Sequence, residues 1–212
     1  MARARPGTHR ARLLAALAHQ PSDRVPMDFG TTRTTGATIP AYARLRTHLG
    51  LAAPAQRPIV CIDVMQQLAL VEDDVQRALD VDARGVFLGA PDGFTTEVRS
   101  VDGAEEYTDE WGIRRRRPAG GHYFDLVAPP LHGDPDPKRL DRYPWPDPAD
   151  PGRFRTLRAQ VDALQHEGEY AIVVNPTYGP IHLTQYLRGF EDWFIDLIAE
   201  PAFATALLER VF

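Results

Sequence analysis

The sequence predicts an α/β fold of strand–helix units with an antiparallel β-meander inserted among them. Residues 170–174 (Tyr-Ala-Ile-Val-Val) form a continuous apolar run, followed by a turn and an amphipathic helix pattern. Such a run fits a strand covered on both faces in a parallel sheet. Shorter apolar runs at 25–29 and 86–88 also precede loops. Residues 94–127 instead alternate apolar with polar and carry turn signals such as Asp102-Gly103, which predicts three or four antiparallel strands.

In chain order, Thr8 can cap a helix to about His19 with Leu13, Leu14 and Leu17 on one face. Pro21 stops it. Residues 25–29, VPMDF, are the first strand candidate, and the polar loop 30–36 follows where a strand hands over to a ligand-facing loop. Pro40 opens a helix with Tyr42, Leu45 and Leu49 inward, closed by Gly50. Asp63, Gln66 and Gln67 interrupt the apolar run 59–70 and are read as capping and solvating it. Glu72, Asp73 and Asp74 start another helix, their charge favourable at its positive end.

Residues 86–88 form the second strand, and the meander follows it. Its four arginines, Arg114 to Arg117, alternate between the two faces; they are read as a charged edge that blocks sheet-to-sheet pairing, the other reading being contact with an anionic cofactor tail. Residues 129–151 hold too many prolines for a regular element and form a connector anchored by Tyr143 and Trp145. Pro151 opens a helix to about Glu167 with Phe154, Leu157, Val161 and Leu164 inward. The strand at 170–174 is ended by Asn175 and Pro176. Pro180 then starts a helix, and Phe190, Trp193, Phe194, Leu197 and Ile198 make one apolar stripe. Another helix follows Pro201. Residues just after a strand, with the first turn of the next helix, line the ligand crevice of an α/β fold, so Asn175, Tyr178, His182 and Tyr186 are site candidates.

Composition bounds the function. With 43% apolar residues and a net charge of -5, the chain can build a core and is a poor match to nucleic acid. The single cysteine, Cys61, excludes an internal disulfide and a CxxC zinc or redox pair. Residues 13–18 are too short for a signal segment, and no apolar run approaches membrane-spanning length. A cytoplasmic protein is expected.

Two segments resemble the uroporphyrinogen decarboxylase superfamily. Gly179-Pro180-Ile-His-Leu-Thr-Gln-Tyr186-Leu-Arg-Gly189 is similar to the family segment in which a proline after a barrel strand is followed six residues later by a substrate-contacting tyrosine. Arg33-Thr-Thr-Gly36-Ala37-Thr-Ile-Pro40-Ala-Tyr42 resembles the element whose two arginines grip the porphyrinogen carboxylates, with Ala37 in place of the second. The resemblance implies a partial (β/α)8 TIM barrel with the meander inserted. Residues 1–212 would be the amino-terminal portion of one such domain, roughly half the barrel following beyond Phe212. Tyr107-x-Asp109-Glu110-Trp111-Gly112 is similar to a hairpin of the branch related to corrinoid-dependent methyltransferases.

Three functions follow from the resemblance. The first is methyl transfer from a corrinoid, carried by another protein, to a thiol activated by zinc; the zinc ligands of that branch lie in the carboxyl-terminal half, and none is assigned in this chain. The second is decarboxylation of uroporphyrinogen III, which needs no cofactor. Against it stand Ala37 and the position seven after Asp82, where the family's aspartate is replaced by Gly89 and the nearest carboxylate is Asp92. The third is a catalytically inactive fragment. In the enzyme readings Tyr186 is the catalytic residue, and Arg33, Asn175, Tyr178 and His182 bind a small anionic substrate. A homo-oligomer is compatible with each.

Overall fold

The computed structural model describes residues 7–51, 58–175 and 179–212. In chain order come α1 (His9–Leu17), a 3-10 turn (Arg33–Thr35), α2 (Ile39–His48), β1 (Cys61–Asp63), β2 (Leu68–Ala69), α3 (Asp73–Ala78) and β3 (Ala83–Phe87). Next are β4 (Arg99–Val101), β5 (Ala104–Thr108), β6 (Arg114–Arg117), β7 (Asp125–Ala128), α4 (Pro137–Arg142), α5 (Pro151–Phe154) and α6 (Leu157–Glu167). Last come β8 (Ala171–Asn175), α7 (Pro180–Arg188), α8 (Phe190–Ala199) and α9 (Pro201–Val211). These elements fall into two compact units, one from Met1–Gly89 with Pro151–Asn175 and one from Ala90–Asp150 with Pro176–Phe212.

In the first unit β3 and β8 pair in parallel, from Ala83 opposite Ala171 to Phe87 opposite Asn175. Among the described residues the parallel sheet has these two strands and does not close into a barrel. Tyr42, Ala69, Val71 and Val75 form the core, with Leu45, Leu49 and Leu79 packed on it; Tyr42, Leu45 and Leu49 face inward as the α2 pattern predicts. Residues 25–29 are not a strand: Pro26 has no N–H to give a ladder, the Met27 carbonyl accepts from the Asp82 N–H at 2.9 Å, and the Phe29 carbonyl accepts from the Gln76 side chain in place of a strand neighbour. Thr8 caps α1 as expected, but Leu14 and Leu17 face outward. Instead His9 stacks on Tyr170, and Arg12 reaches the buried Asp82 carboxylate at 3.1 Å. The helix expected over 151–167 is broken between α5 and α6, and Phe154 is exposed. Nor is β8 covered on both faces, because Val174 is half exposed.

In the second unit the meander runs β4-β5-β6-β7, every neighbouring pair antiparallel, as expected. β6 lies inside that sheet, so its arginines are not a protective edge. Arg116 and Arg117 pair with Glu106 and Glu105 across β5, while Arg115 is fully buried. The proline-rich stretch does hold a helix, α4, because Pro137 stands at its first turn and Asp136 caps it through the Lys138 N–H. Leu131, Leu140, Leu183, Leu187, Phe203 and Leu207 build the core, with Tyr143 and Trp145 packed against it as anchors. Gly189, at φ +84, separates α7 from α8. The α8 stripe is not inward, since Phe194 and Ile198 are 56% and 88% exposed; the buried residue of α8 is Asp196. No helix of the described residues is long and apolar enough to cross a membrane.

Candidate functional site

In the first unit the loop carrying Arg33 is built from short-range polar contacts. Thr32 and Thr35 cap each other across the 3-10 turn, and the Gly30 N–H donates to the Thr35 carbonyl at 2.9 Å. Thr31 is wholly buried, and its carbonyl accepts from the Asn175 side-chain amide at 2.5 Å. Asn175 is itself buried at the last position of β8, with the Val86 carbonyl 3.5 Å from the same nitrogen. The arginine loop is therefore docked on the carboxyl end of the parallel pair, where α/β folds bind ligands. Asn175 holds the loop there.

Close approach to β3 completes the dock. A Cβ on Gly85 would stand 2.4 Å from the Thr31 carbonyl oxygen, so this strand position admits no side chain. Gly85→Ala is expected to push the loop off β3 and to cost about 1–3 kcal/mol, as overpacking against backbone does. A thermal midpoint equal to that of the parent protein would show that the loop does not rest there. Within the loop's reach, Arg33 Nε lies 3.4 Å from a carboxylate oxygen of Asp63 on β1. Asp63 is buried, and its other oxygen accepts the Gln66 N–H at 2.9 Å. The sequence reading missed this partner, because a polar residue in a short apolar run looks like a cap.

In the second unit His182 and Tyr186 stand on α7, which Gly179 precedes and Pro180 opens. His182 is exposed. Tyr186 is half-buried between two groups: the Phe190 ring, centroid 5.8 Å away, and the Arg115 guanidinium, 4.8 Å from its own centroid. Arg115 also donates to Asp109 Oδ2 at 2.5 Å. Asp109 Oδ1 accepts the N–H groups of Trp111 and Ile113, both at 3.0 Å, so the Asp-Glu-Trp-Gly hairpin is closed around this carboxylate. Burial pushes the Asp109 carboxyl above its ordinary pKa, opposed by the Arg115 charge. Burial and the Asp109 charge push the neighbouring Tyr143 phenol up to about 12. Its hydroxyl donates to the Trp111 carbonyl.

The structure thus brings Arg33 and Asn175 together in one unit and places His182 and Tyr186 on one helix of the other. Tyr178 lies outside the described residues. A cleft of about 430 Å³ on the meander is lined by Thr95, Arg99, Glu106, Thr108 and Arg114 among others, and holds none of Arg33, Asn175, His182 and Tyr186. Among the described residues no group of three or more His, Cys, Asp or Glu is placed to hold a metal.

No family model matches the chain, and no curated protein matches it. A solved structure of a methyltransferase from Methanosarcina mazei is similar over 96% of this chain and 52% of its own, at 17% identity and a TM-score of 0.48. The chain spans about half the length of that protein.

Proposed function

We propose that the chain is the amino-terminal part of a uroporphyrinogen decarboxylase-like (β/α)8 barrel of the corrinoid-dependent methyltransferase-related kind, acting in methyl transfer to a thiol. The observation that carries this reading is the docking of the Arg33 loop on the carboxyl end of β3 and β8 by Asn175. The Pro180 to Tyr186 spacing at the start of the helix after β8 supports it, as does the closed Asp109-Glu110-Trp111-Gly112 hairpin. In this reading the Arg33 fork binds a carboxylate of a small anionic substrate, and Asp63 sets the plane of the guanidinium. The resemblance assigns substrate contact to Tyr178 and His182 and the catalytic hydroxyl to Tyr186. The described residues do not fit a zinc site, so no step is assigned to zinc in this chain. The corrinoid comes on a partner protein, in the cytoplasm.

The full-length protein, of which this chain would be the amino-terminal part, is tested with a methylated corrinoid and a thiol, and in parallel with uroporphyrinogen. Methyl transfer to the thiol supports the reading, and release of carbon dioxide from uroporphyrinogen replaces it with the decarboxylase. Activity in neither assay leaves the inactive fragment. Arg33→Lys keeps a cation beside Asp63 but loses the planar fork. It is expected to weaken a carboxylate-bearing ligand roughly tenfold, about 1.4 kcal/mol, with the thermal midpoint nearly unchanged. Titration calorimetry of both proteins checks this, and unaltered binding would make Arg33 a structural partner of Asp63.

A further inference from the structure

We propose that Arg115 is a positioning residue for Tyr186: its buried guanidinium, held by Asp109, lies against the phenol ring and fixes where the hydroxyl points. This rests on the reading of Tyr186 as the catalytic group. β6 carries four arginines in a row, and alternation together with a bulge between Arg114 and Arg115 turns Arg115 into the interior. Burying a cation is costly, and an apolar side chain of similar length would serve stability as well or better. What an apolar side chain cannot do is hold a ring electrostatically. A guanidinium over an aromatic face is attracted to its quadrupole and, being planar, restricts tilt as well as distance.

The cation is itself fixed from two directions. Asp109 is pinned by two backbone N–H groups within a tight hairpin, so the carboxylate that accepts from Arg115 cannot drift. Tyr107, directly opposite Arg115 on β5, presents its ring at 6.0 Å on the same cation. On the other side, α7 is anchored by Leu183 and Leu187 in the core, and Phe190 meets the Tyr186 ring edge-on. Two stretches singled out separately in the sequence, the Asp109 hairpin and the Pro180 to Tyr186 segment, therefore meet through one guanidinium.

The test is a cycle of Arg115→Met, Tyr186→Phe and the double variant, made in the full-length protein that serves as the parent, with the turnover assay that this parent supports. Arg115→Met is expected to lower kcat at least tenfold with KM changed less than twofold. In the Tyr186→Phe background, where the hydroxyl is already gone, the same change should lower kcat less than twofold. Equal losses in both backgrounds would make Arg115 purely structural and overturn the proposal. Should Arg115→Met fail to fold, Asp109→Asn, which loosens the guanidinium without removing it, replaces it in the cycle. If the parent protein turns over neither substrate, the proposed function has failed, and ring flipping of Tyr186 by NMR with labelled tyrosine decides the positioning. Slow flipping in the parent and fast flipping in the Arg115 or Asp109 variant supports the clamp. Equal rates overturn it.

Discussion

Asp82→Asn is expected to lower stability by about 3 kcal/mol at neutral pH and to remove much of the loss of stability on acidification. Asp82 stands just before β3 with its side chain fully buried. Its two oxygens accept the Met27 N–H at 2.7 Å and Arg24 at 2.5 Å and 3.0 Å, with Arg12 at 3.1 Å and His9 Nδ1 at 2.8 Å. Burial alone would raise the pKa of this carboxyl, but the Met27 N–H, His9, Arg24 and Arg12 together outweigh it and hold the pKa below the ordinary carboxylate value. A depressed folded-state pKa contributes stability that is present above the unfolded value of about 3.9 and lost as pH falls through the folded one. Asp23, held to about 2 chiefly by its hydrogen bond from Arg12, adds a change of the same sign. Urea unfolding between pH 7 and pH 2 should therefore show a steep acid limb in the parent protein and a shallower one in Asp82→Asn. Parallel limbs would remove Asp82 as the origin.

The position of Asp82 also marks what the sequence can and cannot reveal. It precedes its strand, at the end opposite the ligand-binding side of an α/β sheet, and its partners come from residues 9, 12, 24 and 27. No local pattern links them, so a hub of this kind is invisible in one sequence. Elements set by short-range rules were legible. The meander follows from period-two alternation and from Asp102 and Gly103, both at positive φ in the turn joining β4 and β5. α2 and α3 follow from Pro40 in the first turn of one, the acidic first turn of the other, and apolar spacing. The errors arise where a tertiary partner overrides the pattern. Residues 25–29 have strand composition but lack a ladder neighbour beyond Met27. Asp63 looks like a solvated cap until the β1–β2 hairpin folds it back to Arg33. Arg115 looks like one of four surface charges until the bulge turns it inward. Of the candidate site, the helix that carries His182 and Tyr186 is legible from Gly179 and Pro180, whereas Asp63 beside Arg33 and Asp109 beside Arg115 are not.

The α8 stripe shows the same override with the largest energetic consequence, and it yields the second large prediction. Arg188 at the end of α7 is buried and donates from Nε to Asp196 Oδ2 at 2.6 Å, from Nη2 to Oδ1 at 3.2 Å, and from Nη1 to the Leu131 carbonyl at 2.6 Å. Its guanidinium also lies 5.2 Å from the centroid of the Phe203 ring. Satisfying this pair requires the Asp196 face of α8 to turn inward, which leaves Phe194 and Ile198 outside. Arg188→Met is expected to destabilise by about 3–5 kcal/mol, because it strands the Asp196 carboxylate among apolar groups. Asp196→Leu should cost less, since Arg188 keeps the Leu131 carbonyl and Asp192, 3.4 Å from Nη1. In the double variant both charges are gone and the volumes are nearly kept, so more than half of the Arg188→Met loss should return, as residues in direct contact couple strongly. Denaturant unfolding of the three variants measures the coupling. Additive losses would mean that the pair does not set the rotation of α8, and that some other contact keeps its apolar stripe turned outward.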